Sequence, residues 1–144
     1  RQFAVDVKGT FHFMVACYPH FCARGGGAIV NLASEAGSER TQGFGAYAAA
    51  KEAVRALTGV AAREWGPQGI RVNAICPTAI TPATSQWLAD NPEHAEEHLS
   101  KIPLQRHGDP EHDTGRTVVF LVGPDASFMT GQTIWIDGGS VIHA

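Results

Sequence analysis

AIVNLAS, Ala28 to Ser34, follows three glycines, Gly25-Gly26-Gly27, and runs into a polar loop. A short continuous apolar run bounded this way reads as a strand buried on both faces. IRVNAIC, Ile70 to Cys76, repeats the pattern and is stopped by Pro77. Between the two, Gly45 to Trp65 is rich in Ala, Leu, Val, Arg and Glu and ends at Gly66-Pro67, which predicts a long helix. Upstream, Phe3, Val7, Thr10, Phe11, Met14, Val15 and Tyr18 fall at helical spacing and predict a helix from about Phe3 to Ala23, halted by the glycines. Those glycines precede a strand rather than joining strand to helix, so they read as a turn and not as a phosphate loop.

Downstream, two short helices are expected within Pro82 to Lys101. Asp109-Pro110-Glu111 supplies a capping side chain, a proline at the first helical position and an acidic first turn for a helix reaching about Val122. TIWID, Thr133 to Asp137, is a last short strand, ending at a chain-reversing Gly138-Gly139. Apolar strands alternating with helices predict an α/β fold, a parallel sheet covered on both faces. Ligands of such sheets bind beyond the carboxyl ends of the strands. Ser34 stands at one such end and Pro77 to Thr81 at another.

A chain of 144 residues, 44% of them hydrophobic, can bury one modest core, and residues 1–144 read as a single domain. The net charge is −3 and the basic residues do not cluster, which argues against nucleic acid or an anionic membrane surface as partner. No apolar run approaches the roughly 18 residues of a membrane span. Cys17, Cys22 and Cys76 lack metal-finger or redox-pair spacing, as suits a reducing cytoplasm. His94-Ala-Glu-Glu-His98 matches H-x-x-E-H, yet it lies in a short proline-bounded segment without a third ligand, so no metal is expected.

The chemistry concentrates in YAAAK, Tyr47 to Lys51. Four residues apart on a helix, the phenol and the ammonium share one face. A lysine cation about 4 Å from a phenolate stabilises it by roughly 4 kcal/mol at an effective dielectric near 20, drawing the phenol toward proton exchange at neutral pH. The intervening alanines leave room for a ligand against the helix. Ser34, at the strand end, could donate a hydrogen bond to a carbonyl oxygen that Tyr47 also touches.

A Ser, a Tyr thirteen residues on and a Lys four later resemble the catalytic set of the short-chain dehydrogenase/reductase family. The resemblance runs along almost the whole chain. VDVKGTF is similar to the family's V-N-x-x-G segment, GAIVNLAS to its strand ending in the catalytic serine, GIRVNAICP to the strand before its P-G turn, and FMTGQTIWIDGG to its C-terminal strand. It implies a Rossmann-type, doubly wound parallel sheet and hydride transfer between NAD or NADP and a small alcohol or ketone. By this likeness Tyr47 is the general acid/base, Lys51 tunes it and holds the nicotinamide ribose, and Ser34 orients the substrate oxygen. Pro77, Thr78, Ile80 and Thr81 would line the nicotinamide. The variable segment from about 82 to 106 would be the substrate lid. A homodimer or homotetramer is implied, with the first two long helices at the subunit interface.

Three departures accompany the likeness. Asp6 stands where the family has asparagine, and its charge would pair with Lys51. The P-G turn reads Pro77-Thr78, and the following threonine comes one position early as Thr81. The chain opens on Arg1 in mid-helix pattern, so the glycine-rich turn that cradles the pyrophosphate is expected upstream of it, and the sheet is expected to be incomplete. The competing reading is a catalytically inactive remnant or binding module of the same fold.

Overall fold

The computed structural model describes residues 1–142, Ala83 by its backbone alone. Three parallel strands, β1 (Gly27–Leu32), β2 (Ile70–Pro77) and β3 (Thr133–Ile136), pair in the order β1-β2-β3. Gly27 lies opposite Ile70 and Leu32 opposite Ile75, while Ala74 opposes Thr133 and Pro77 opposes Ile136. All three carboxyl ends therefore emerge on one side of the sheet.

The expected first helix is a wide π turn, Phe3–Lys8, leading into α1, Gly9–Arg24. It stops where Gly25 takes φ 75° and Gly25 and Gly26 donate to the carbonyls of Cys22 and Phe21. Gly26 holds φ 146°, and a Cβ there would sit 2.8 Å from the Gly69 carbonyl oxygen, so only glycine lets the two strand entrances approach. The long helix α3 spans Gly45–Trp65 as expected.

Side-chain alternation along β2 divides the covering helices between the faces. Ile70 and Val72 pack with Met14 of α1 and Ala61 and Ala62 of α3. The intervening Arg71 reaches the other way, donating to the carbonyls of Leu121 (2.7 Å) and Gly123 (3.1 Å) at the end of α6, Arg116–Val122. Asn73, 1% exposed, donates to the Met129 carbonyl and accepts from Gln132 N–H. Within the first layer Asn31 donates to Thr58 Oγ1 at 2.9 Å, and that hydroxyl donates to the Val54 carbonyl. The buried side chains of Asn31, Thr58 and Asn73 thus all have partners, as a low-dielectric interior requires.

Several boundaries differ from the sequence reading. β1 ends at Leu32 rather than Ser34, because Ser34 caps a single helical turn, α2 (Glu35–Ser38), that the apolar pattern did not announce. The two short helices are α4, Pro82–Asp90, and α5, Pro92–Ser100. Asp109 caps its helix as expected, its carboxylate accepting from the N–H groups of Glu111 and His112, but the first turn, Pro110–Gly115, is π before α6 begins. Asp137 leaves β3 to close the following turn, accepting from Gly139 and Val141 N–H.

Candidate active site

Tyr47 lies in the first turn of α3, half-buried, with its ring edge-on to Phe44 at 6.1 Å. One turn later the Lys51 ammonium stands 5.5 Å from the Tyr47 ring centroid. The same ammonium donates to the Leu32 carbonyl oxygen at 3.1 Å and lies 3.3 Å from Asp6 Oδ1. Its side chain is 11% exposed and that of Asp6 is 18%, so the pair sits largely out of water. Asp6 also accepts from Gln2 Nε2. Residues from three elements thus meet: the opening π turn, the end of β1 and the start of α3.

Ser34 stands two residues beyond the carbonyl that Lys51 holds. Its Oγ accepts from Ala36 N–H at 3.2 Å, the N-cap arrangement, which occupies a lone pair and leaves the hydroxyl proton to donate elsewhere. Among the described residues no hydrogen bond joins Ser34 to Tyr47.

The residues after β2 are held by backbone bonds on two sides. Thr78 N–H donates to Ile136 O at 2.9 Å, its carbonyl accepts from Gly108 N–H at 3.1 Å, and Ile80 N–H donates to Gly108 O at 3.0 Å. Pro77 closes β2. Thr81 is the N-cap of α4, its hydroxyl accepting from Thr84 N–H, so that oxygen already serves the helix. The expectation had not included Glu35. Its Oε2 accepts from the hydroxyls of Thr78 (3.1 Å) and Ser140 (3.2 Å), tying together the segments that follow all three strands.

His94 and His98 do not converge. His94 faces the Trp87 ring at 5.5 Å, whereas His98 stacks on His107 at 5.2 Å. No group of three or more His, Cys, Asp or Glu side chains among the described residues is placed to hold a metal.

A cleft of about 380 Å³ opens along the outer edge of β1, lined by Asp6, Asn31, Leu32 and Lys51 with Val5 and Met14. An ammonium has three protons, and Asp6 and Leu32 engage two of them. The third is free for a hydroxyl acceptor, and a phenol stands close by. That donor set suits a sugar diol, so these residues fit the ribose of a nicotinamide nucleotide; phosphate-cradling groups are not among them.

The fold defines an α/β protein whose parallel strands end on one side of the sheet, where Lys51 bonds the last residue of β1. The chain belongs to the short-chain dehydrogenase/reductase family: the family model described as enoyl-(acyl carrier protein) reductase matches residues 1–141. A 12α-hydroxysteroid dehydrogenase of Clostridium sp. is 43% identical over 130 residues, 90% of this chain and 50% of that protein. The structure of a short-chain dehydrogenase/reductase from Mycobacterium ulcerans superposes with a TM-score of 0.88 at 35% identity, over 94% of this chain and 49% of that one. A 7α-hydroxysteroid dehydrogenase complexed with NADH and 7-oxo glycochenodeoxycholic acid gives 0.88 at 31% identity, over 94% and 52%. The chain spans about half the length of the curated relatives it matches, 50% in the steroid dehydrogenase. The three-stranded sheet is correspondingly part of a Rossmann-type fold.

Proposed function

We propose that this chain carries the catalytic portion of an NAD(P)-dependent oxidoreductase acting on a small alcohol or ketone. The observation that carries the reading is Lys51, held between Asp6 and the Leu32 carbonyl with its charge 5.5 Å from the Tyr47 ring. The bound nicotinamide would supply the hydride acceptor or donor. Tyr47 exchanges the proton with the substrate oxygen. Lys51 steadies the phenolate and offers its remaining N–H to a ribose hydroxyl. Ser34, its lone pair occupied by Ala36 N–H, donates to the same substrate oxygen. Pro77, Thr78, Ile80 and Thr81 form the wall on the nicotinamide side, and residues from about 82 to 106, which include α4 and α5, serve as the substrate lid of a single domain.

The exposed apolar residues of the two long helices, Phe11, Phe13 and Val15 on α1 and Val60 on α3, support a homodimer or homotetramer. No helix among the described residues is long and apolar enough to cross a membrane, and the free thiols of Cys17, Cys22 and Cys76 support a cytoplasmic setting. The test is turnover by the full-length protein, with NAD⁺ and NADP⁺, on a panel of secondary alcohols. Tyr47→Phe should lower kcat by at least about a thousandfold with cofactor affinity near normal, since only the exchangeable proton is lost. Activity retained within about tenfold would overturn the assignment.

A further inference from the structure

Glu35 joins the segments that follow the three strands through its side chain. Its backbone opens α2, whose entry Ser34 caps, so the Ser34 hydroxyl and the Glu35 carboxylate are set by the same turn. A single oxygen, Oε2, then accepts from Thr78 Oγ1 beyond β2 and from Ser140 Oγ beyond β3. Thr78 stands where the family's P-G turn has glycine, a residue with no side chain to bond. The hydroxyl that this chain adds there finds its acceptor in Glu35. Hydrogen bonds to a carboxylate are about twice as strong as neutral ones, and here two converge on one atom.

We propose that Glu35 is a positioning residue: by bridging Thr78 and Ser140 it fixes the 77–81 segment relative to the Ser34 turn, and so holds in place the wall against which the nicotinamide packs. This rests on the oxidoreductase reading. The backbone bonds of Thr78 to Ile136 and of Ile80 to Gly108 anchor that segment to β3 and to the stretch that follows the lid, but neither reaches the Ser34 turn. Glu35 supplies that link.

The test uses the full-length protein with Glu35→Gln, Glu35→Ala, Thr78→Val and the Glu35→Ala/Thr78→Val double variant. Gln keeps an acceptor oxygen with two lone pairs, so Glu35→Gln should stay within about threefold of wild type in cofactor dissociation constant. Glu35→Ala should raise that constant, titrated with NADH and NADPH, roughly tenfold while kcat changes less than about threefold. Thr78→Val removes one of the two bonds that Glu35→Ala removes, so it should raise the cofactor dissociation constant no more than Glu35→Ala does, and the double variant should be no weaker than Glu35→Ala. Hydrogen exchange on the unliganded proteins gives a reading independent of turnover: the amides of Thr78 and Ile80 should exchange about tenfold faster in Glu35→Ala but not in Glu35→Gln. Additive single effects, a Gln variant as impaired as the Ala variant, or unchanged exchange at Thr78 and Ile80 would overturn the proposal. A wild-type protein with no nicotinamide-linked turnover would sink the functional reading, while the exchange rates would still decide whether the bridge exists.

Discussion

Replacing Asp6 by Asn removes a carboxylate from beside Lys51 while keeping its shape. The ammonium lies 5.5 Å from the Tyr47 ring centroid. At an effective dielectric near 20 it favours a phenolate there by about 3 kcal/mol. Asp6 Oδ1 is 3.3 Å from the same ammonium, which puts it no more than about 9 Å from the ring and makes its opposing repulsion at least about 2 kcal/mol on the same scale. The carboxylate therefore opposes the lysine's effect. In Asp6→Asn the opposition disappears, so proton removal from the substrate alcohol should become effective at lower pH. The rise in alcohol-oxidation rate should therefore move to lower pH, by an amount that partial exposure reduces. The assay is kcat/KM for oxidation between about pH 5 and 10 on matched full-length proteins. Superimposable profiles, or a shift upward, would refute the electrostatic account of Asp6.

Asn73→Leu leaves the Met129 carbonyl and the Gln132 N–H without their buried partner and should cost about 2–5 kcal/mol in urea unfolding; a loss under about 1 kcal/mol would mean that the loop re-pairs. The Arg106 guanidinium holds the Asp113 carboxyl well below the usual carboxylate range. A depressed folded value contributes stability that is complete above about pH 4 and lost as pH falls, so Arg106→Gln should narrow the stability gap between pH 7 and pH 3 in thermal melts. Burial lowers the His107 imidazole, with His98 adding to the effect, so wild type should also lose stability as pH falls below about 6.5, and His107→Gln should abolish that part of the pH dependence. Burial pushes the Cys76 thiol up to about 11. At pH 8 it should react with a thiol reagent at least about tenfold more slowly than half-buried Cys17, as peptide mapping of labelled protein can show.

Much of the frame could be read from the chain because its signals are local. An apolar run after glycines marks β1, Gly66-Pro67 ends α3, and Asp109-Pro110-Glu111 caps its helix through contacts two and three residues away. The Tyr47–Lys51 pairing was legible for the same reason, since helical geometry alone puts i and i+4 together. The expected ion pair of Asp6 with Lys51 needed the resemblance as well, because those residues lie on different elements. Other features escaped. Helix α2 is a single turn that depends on one capping hydroxyl, and no periodicity develops over so few residues. The Glu35 bridge joins positions 43 and 105 residues away, and Lys51 chooses a backbone carbonyl, which has no letter in the sequence. Both are products of strand register rather than of any motif.

Arg71 and Glu35 secure opposite ends of the sheet by different means. The arginine, at the entrance to β2, bonds main-chain oxygens, and among the described residues these are those of Leu121, Gly123 and Met129. Its contacts are blind to which side chains those positions carry, so that end of the molecule tolerates sequence drift as long as the backbone path is kept. The glutamate bonds hydroxyls, which a single substitution can delete. Variation among descendants of this chain should therefore register first as altered ligand handling at the carboxyl end, with the distal end holding the architecture constant while it happens.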